Sequence, residues 1–197
     1  VDDRGHPLAV AFFAVAMMIG LVGHDRLHHF RCGLFPAYFA GSELTQANLI
    51  FFFLGALLGS IPSGVLVSKL TGSVDPRESG SGNIGATNVL RTSGITRGAI
   101  TLMGDILKGS IAIATVSVFA GASADSLFPQ SLAAIGAVLG HIYSPFLGFQ
   151  GGKGVATGLG AFFCLMPGPV AWAAIVFAVV VALTRYISLG SILGVTT

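Results

Sequence analysis

Hydrophobic positions in this chain fall into long, nearly continuous segments separated by short polar stretches. A helix needs about 20 apolar residues to cross the roughly 30 Å hydrocarbon core of a bilayer, and several of these segments approach or exceed that length. The pattern therefore predicts an all-α fold, a polytopic transmembrane helix bundle of about five to six spans. The main apolar segments are residues 48–70, 98–121, 131–149, 155–183 and a run that begins near 187.

The first 47 residues do not share this pattern. Their one apolar segment, residues 8–22, is 15 residues long, which makes it either a signal-like leader or a marginal span. We therefore divide the chain into an N-terminal extension, residues 1–47, and a membrane domain, residues 48–197. Because the chain stops within an apolar run, we expect this domain to be incomplete at its C-terminus.

Glycine and proline subdivide the apolar segments. In the first span Gly55, then Gly59 or Ser60, and then Gly64 recur on one helical face, which predicts close packing on a neighbouring helix. In the last long segment a Pro-Gly-Pro sequence at 167–169 predicts a break, because proline removes a backbone donor and clashes with the preceding turn. The predicted helices on either side are 155–166 and 170–183.

Composition supports a membrane protein. Hydrophobic residues make up 53% of the chain and charged residues 9%, whereas soluble domains carry about 25% charged residues. The net charge of +2 is too small to indicate a nucleic-acid partner. Cys32 and Cys164 belong to no metal-binding pattern, so we expect no metal and no cofactor.

The few cations indicate an orientation. Loops after the first span alternate between carrying Lys or Arg and carrying none. By the positive-inside rule the cation-bearing loops are cytoplasmic, which places the polar loops on one face of the membrane. The cations of these loops are Lys69, Arg77, Arg91, Arg97, Lys153 and Arg185.

Two of these loops have the composition of an anion site. Residues 71–97 and 150–154 are rich in Gly, Ser, Thr and Asn, so that backbone N–H groups can converge on a phosphate with Arg91 or Lys153 close by. The sequence from Gly80 to Gly85 matches G-x-G-x-x-G, but no apolar strand precedes it, so a dinucleotide fold is not indicated. A flexible cytosolic loop is the alternative interpretation of either stretch.

Three ionisable residues stand in or near apolar segments. Asp105 and Lys108 are three residues apart on one helical face and can pair. Ionisable groups inside a membrane are costly, so they indicate either a functional site or a mutually neutralising structural pair. His141 lies near the loop end of its segment, where it is either a packing residue or a base.

Several stretches of the chain resemble one protein family. They are GALLGSIPSGVLVSKL at 55–70, GSGNIGATNVLR at 80–91, GDILKG at 104–109, GHIYSPFLGFQGGKGVATGLG at 140–160 and RYISLGSI at 185–192. In this order they are similar to the PlsY family, the integral-membrane acyl-phosphate:glycerol-3-phosphate acyltransferases of bacteria. The resemblance covers about residues 48–197 and implies that the family's last helices, with a His- and Asn-bearing motif, are absent here.

The family resemblance implies a function. Members transfer a fatty acyl group from acyl phosphate to the 1-hydroxyl of glycerol 3-phosphate, forming lysophosphatidate in phospholipid synthesis at the bacterial inner membrane. Two phosphorylated substrates need several fixed cations and N–H donors to bind together. An acyl phosphate is an activated anhydride, so proximity and charge neutralisation suffice without a covalent acyl-enzyme.

The resemblance also implies the site residues. Ser81, Asn83, Thr87, Asn88 and Arg91 are expected to line the phosphate-handling loop, and Lys153 and Ser188 to reach the same site. We add Lys108 and the loop glycines Gly80, Gly82, Gly85, Gly151, Gly152 and Gly154 as substrate-binding candidates. Ser81, Arg91, Lys153, His141 and Asp105 are the catalytic candidates. The proton acceptor is left open among His141, Asp105 and a substrate phosphate oxygen.

Two other classes of function fit parts of the pattern. A small membrane transporter of phosphorylated or anionic solutes would also place glycine-rich cationic loops on one face, but it would show an inverted repeat. A non-enzymatic lipid-binding subunit would not need Arg91 and Lys153. We expect acyl phosphate, glycerol 3-phosphate and membrane lipids as partners, with no nucleic acid and no obligate protein partner.

Overall fold

The computed structural model describes residues 45–119 and 127–184, together with 189 and 193. The regular elements within these residues are all helices, which confirms the predicted fold class. The N-terminal residues 1–44, the cation Arg185 and the candidate Ser188 lie outside the described residues. The helices are α1 (Gln46–Gly59), α2 (Ser63–Leu70), α3 (Ala86–Ser93), α4 (Ile95–Phe119), α5 (Leu127–Ile142), α6 (Val155–Leu165) and α7 (Pro167–Thr184), with a 3-10 turn at Pro145–Leu147.

Within the described residues, three segments are long and apolar enough to cross a membrane. They are Gln46–Leu70, Ile95–Phe119 and Pro167–Thr184, while α6 is a shorter apolar helix. Large hydrophobic side chains are exposed along them, as a lipid-facing surface requires, and α7 buries only Val170. The figure of five to six spans stays a prediction.

The first span is two helices, where the sequence predicted one. α1 ends at Gly59, and α2 begins at Ser63, directly after Pro62. Proline has no N–H to continue the hydrogen-bond ladder, so Ser60, Ile61 and Pro62 form a break. Side chains from later parts of the chain donate hydrogen bonds to two carbonyls of this break, those of Ser60 and Ile61.

The Pro-Gly-Pro sequence also separates two helices, which confirms the break predicted there, although the second helix begins at Pro167 and not at residue 170. α6 ends at Leu165 and α7 begins at Pro167, so both prolines lie in the first turn of α7. Proline is tolerated there because the first N–H groups of a helix have no intrahelical acceptor. The other predicted segment, 131–149, ends its α-helix earlier, at Ile142, and continues as the 3-10 turn.

Small residues let α1 and α5 approach at backbone distance. The side-chain positions of Gly55 and Gly59 face the backbone of Ala133 and Ala137, as the spacing of the glycines predicted. The contact is reciprocal, because Gly136 and Gly140 of α5 face the backbone of Phe52 and Ala56 in α1. Gly64, after the break, instead packs against the carbonyl of Ile84 in the polar loop.

A second close contact joins α4 and α6. Gly109 lies against the carbonyl of Thr157, and Gly160 lies against the carbonyl of Ile106. The hydrophobic core between α1, α4, α5 and α6 is correspondingly made of small and medium side chains: Phe51, Ile113, Val116, Ala133, Ala134 and Ala161. These tight contacts fix the helices that carry the polar loops.

Candidate active site

Asn88 organises the long polar loop between α2 and α3. Its side chain is buried, its Oδ1 accepts a hydrogen bond from Ser81 N at 2.9 Å, and its Nδ2 donates to three loop carbonyls. Those acceptors are the oxygens of Pro76, Ser79 and Asn83, at 2.8, 3.0 and 2.8 Å. The amide is thus used by the loop itself, and its predicted contact with substrate stays a prediction.

Glycine is required at the turns of this loop. Gly80 and Gly82 have φ values of +62° and +70°, in the left-handed region that favours glycine. A Cβ on Gly80 would also collide with the Asn88 amide. Asn83 Oδ1 accepts from Gly85 N at 2.9 Å and so shapes the entry to α3. The loop is therefore an ordered structure and not the flexible linker of the alternative interpretation.

The remaining predicted residues of the first loop point outward. Ser81, Thr87 and Arg91 are all exposed, and the last two lie four residues apart on one face of α3. Their side chains are accessible to a ligand in the aqueous phase. Their assignment to phosphate binding stays a prediction.

The second loop, residues 143–154, folds back onto the end of α5. Gly151 N donates to the carbonyl of Ile142 at 2.9 Å, and Gly152 N donates to the carbonyl of His141 at 3.0 Å. Side chains at either glycine would collide with His141, which explains why the turn needs glycine. Lys153, which is half-buried, follows directly, and Gly154, at φ +76°, leads into α6.

Both loops reach the break between α1 and α2. Ile84 of the first loop packs on Gly64, and Ser144 of the second donates a 2.6 Å hydrogen bond from its Oγ to the carbonyl of Ser60. A cleft of about 370 Å³ lies at this junction. Its lining comes from the break and α2 (Ile61, Pro62, Val65, Leu66 and Lys69), from the first loop (Arg77) and from the second (Phe146 and Leu147). The first loop thus contributes Arg77 and the second contributes Phe146 and Leu147, whereas the predicted residues Arg91 and Lys153 are not part of this lining.

The cations that line this cleft are Lys69 and Arg77, which were not among the predicted site residues. Arg77 holds Asp75 through a salt bridge of 2.6 Å, and this guanidinium lowers the pKa of the Asp75 carboxyl to about 2. The carboxylate in turn raises the pKa of Arg77. Because the pKa of Asp75 is lowered on folding, the pair is complete above the usual carboxyl pKa and is lost as the pH falls toward 2. The sequence analysis included both residues among the cations that indicate membrane orientation, but the sequence does not show where their side chains point.

Asp105 and Lys108 form the predicted ion pair. Lys108 Nζ lies 3.0 Å from Asp105 Oδ1, and both side chains are buried. Lys108 also donates to the carbonyl of Ile61 at 2.9 Å. On the other side His141 Nδ1 lies 3.6 Å from Asp105 Oδ1 and 3.1 Å from Thr157 Oγ1. The sequence analysis did not identify Thr157 or the Ile61 carbonyl, since only the tertiary structure brings the α1–α2 break and α6 to this pair.

Fold and site together define a class of protein. Apolar helices of membrane-spanning length carry two ordered, glycine-rich polar loops, and these loops border a cleft with apolar walls and cationic side chains. This is an integral membrane protein with a cation-bearing cleft between its loops and helices.

Comparison with known proteins identifies the family. The family described as "Glycerol-3-phosphate acyltransferase" matches residues 49–197. The glycerol-3-phosphate acyltransferase of Endomicrobium trichonymphae is 47% identical over 149 residues, which are 75% of this chain and 72% of that protein. The enzyme of Geobacter sulfurreducens is 50% identical over 140 residues, 70% of this chain and 69% of the relative. The chain belongs to the glycerol-3-phosphate acyltransferase family and is an acyltransferase enzyme.

Solved structures agree with this assignment. The crystal structure of PlsY, an integral membrane glycerol 3-phosphate acyltransferase, in its glycerol 3-phosphate form, is 40% identical with a TM-score of 0.65. It is matched over 75% of this chain and 72% of that one. The lysophosphatidic acid form of PlsY gives a TM-score of 0.64 at the same identity, with 75% and 71% coverage. The predicted family and enzyme class are confirmed, and the transporter and non-enzymatic interpretations are set aside.

Proposed function

We propose that this acyltransferase takes its acyl group from acyl phosphate, forms lysophosphatidate, and works at the cytoplasmic face of the bacterial inner membrane. The observation that carries the proposal is the cleft beside the α1–α2 break, which Arg77 of the first loop and Phe146 and Leu147 of the second help to line. Glycerol 3-phosphate is named as the substrate of the structural relative, which supports it as the acceptor here.

The lining of the cleft suits a compound with an acyl chain and a phosphate. Ile61, Val65 and Phe146 provide apolar walls, Lys69 provides positive charge, and Arg77 provides N–H donors beside its partner Asp75. A phosphate gains most from cations and N–H donors where water is partly excluded. An acyl-CoA would need a further large polar surface for its nucleotide, whereas an acyl phosphate needs only the phosphate contacts.

The reaction balances without a covalent enzyme intermediate. The 1-hydroxyl oxygen of glycerol 3-phosphate forms a bond to the acyl carbonyl carbon, and the bond from that carbon to the phosphate oxygen breaks. Inorganic phosphate leaves with the bonding electron pair, and an oxygen of a substrate phosphate takes the hydroxyl proton. His141 and Asp105 were the other candidates for the proton, but both are buried among helices and joined to protein groups. The protein's contribution is proximity and charge stabilisation.

The choice of donor is tested with the purified protein in phospholipid vesicles. Labelled glycerol 3-phosphate is offered with palmitoyl phosphate, palmitoyl-CoA or palmitoyl-acyl carrier protein. We expect labelled lysophosphatidate with palmitoyl phosphate alone, with one inorganic phosphate released per product. Product formed from palmitoyl-CoA but not from palmitoyl phosphate would contradict the proposal.

A further inference from the structure

A chain of buried polar contacts crosses the bundle beneath the two loops. It runs from the Ile61 carbonyl to Lys108, then to Asp105, His141 and Thr157, with successive distances of 2.9, 3.0, 3.6 and 3.1 Å. Its members come from the α1–α2 break, α4, α5 and α6, so it joins four separate parts of the chain. We refer to these five groups as the buried polar chain.

The first end of the buried polar chain holds the helix break. A break inside a membrane frees carbonyl groups that have no water to accept from, and each one left unsatisfied is costly. The carbonyl of Ile61 accepts from Ser63 N at 3.1 Å and also from Lys108 Nζ, and the carbonyl of Ser60 accepts from Ser144 Oγ. Asp105 in turn neutralises Lys108, since a buried cation without a partner is strongly unfavourable.

The other end lies directly under the turn that carries Lys153. The carbonyl of His141 accepts from Gly152 N, and the Nε2 side of the imidazole ring lies against Gly152, where no side chain fits. The opposite ring nitrogen is held by Thr157, three residues after the turn. Rotation of this ring would displace the backbone on which Lys153 stands.

All four side chains are closed off from solvent. The exposed fractions are 3% for Asp105, 5% for Lys108, 3% for His141 and 0% for Thr157. A phosphorylated substrate in the cleft therefore meets the loops and not these side chains. These side chains contact one another and the backbone, so their role is to hold the structure beneath the two loops.

We propose that Asp105, Lys108, His141 and Thr157 are positioning residues, which set the turn at 150–154 relative to the α1–α2 break so that both loops meet the same phosphate. The inference rests on the proposed function, because it assigns these residues to the alignment of that substrate site. It gives the three ionisable residues a role different from proton transfer or direct substrate binding.

Thr157 provides the cleanest test, because Thr157→Val removes the hydroxyl while keeping nearly the same shape. Loss of one neutral hydrogen bond corresponds to about a fivefold effect, so we expect the KM for the phosphorylated substrates to rise about fivefold with kcat changed less. Thr157→Ser keeps the hydroxyl and should restore the wild-type KM. The pH profile of kcat should keep its shape. A fall in kcat at unchanged KM, or a shifted pH profile, would overturn the positioning role.

A second measurement does not depend on the acyl donor. In vesicles, limited trypsin cleavage after Lys153 is followed by mass spectrometry in the wild type and in Asp105→Asn, with cleavage after Arg91 as the internal control. We expect several-fold faster cleavage after Lys153 and no change after Arg91. If the rate of cleavage after Lys153, relative to the rate after Arg91, is the same in the wild type and in Asp105→Asn, the inference is overturned. By contrast, a wild type that makes no lysophosphatidate from palmitoyl phosphate would overturn the proposed function and leave the proteolysis result standing. Thr157→Val keeps the inference testable if Asp105→Asn does not fold.

Discussion

At the scale of single residues, the site divides into side chains that shape the loops and side chains that face outward. Asn88 and His141 are buried, and their side chains make hydrogen-bond contacts with neighbouring parts of the protein. Arg91 is exposed on α3, and Lys153 is half-buried at the end of its turn. This division separates residues whose replacement disturbs the structure from residues whose replacement removes charge.

The two cations predicted to bind phosphate, Arg91 and Lys153, give the first prediction. We expect Arg91→Ala and Lys153→Ala each to reduce acyl transfer by at least tenfold, because removing one partner of a desolvated phosphate costs about 2–5 kcal/mol. Rates of lysophosphatidate formation in vesicles provide the measurement. Arg91→Lys and Lys153→Arg, which keep the charge, serve as matched controls and should retain most of the activity. Near-normal turnover in either alanine variant would remove that residue from the site.

At the scale of helices, backbone contact through glycine holds the bundle together. α1 and α5 meet at two reciprocal pairs of glycines four residues apart, and α4 and α6 meet through one glycine from each helix. In lipid there is little hydrophobic force between helices, so close van der Waals packing has to provide the association. The loops depend on this packing, since α5 and α6 carry the second loop between them.

The glycine contact gives a prediction about stability. We expect Gly136→Ala to lower the thermal unfolding temperature in detergent, because the added methyl group meets the carbonyl of Phe52 and overpacking costs about 1–3 kcal/mol. Gly168→Ala makes the same chemical change in the first turn of α7, where nothing lies within 4 Å of the new atom. The control should unfold at or above the wild-type temperature. Equal effects of the two substitutions would show that the α1–α5 contact tolerates extra volume.

At the scale of the whole molecule, both polar loops lie at the same junction of the bundle. The second loop approaches the α1–α2 break, because Ser144 donates a hydrogen bond to the Ser60 carbonyl. The first loop reaches the same place, because Arg77 lines the cleft beside the break. The alternation of cation-bearing loops along the sequence favours the cytoplasmic side for both.

Topology supplies the prediction at this scale. In a background without native cysteines, we expect Ser73→Cys and Gln150→Cys to react with a membrane-impermeant maleimide only when the cytoplasmic face is accessible. Phe119→Cys, an exposed position at the far end of α4, should react only from the opposite side. Labelling of the Ser73 and Gln150 variants from opposite faces would contradict the arrangement.

The sequence by itself determined the fold class and the enzyme class of this protein. Apolar segment lengths, low charge and the Pro-Gly-Pro break depend on local composition, so an all-helical membrane fold and the division between α6 and α7 were predictable. The family resemblance predicted the enzyme class, and the i, i+3 spacing of Asp105 and Lys108 predicted their pairing. These features could be predicted because each depends on residues that are close together in the sequence or on complete sequence motifs.

Only the tertiary structure decided which distant residues meet. The break at Ser60, Ile61 and Pro62 looks like part of an apolar span in sequence, because a helix interruption inside a membrane is stable only when other segments supply its donors. Local donors such as Ser63 N contribute, and the distant ones are Lys108 and Ser144, which are 47 and 84 residues away from their acceptors. For the same reason, the place of Lys69 and Arg77 at the cleft followed from how the helices pack. Local sequence patterns therefore predict the secondary structure of a segment, whereas contacts between segments determine which residues come together at the cleft.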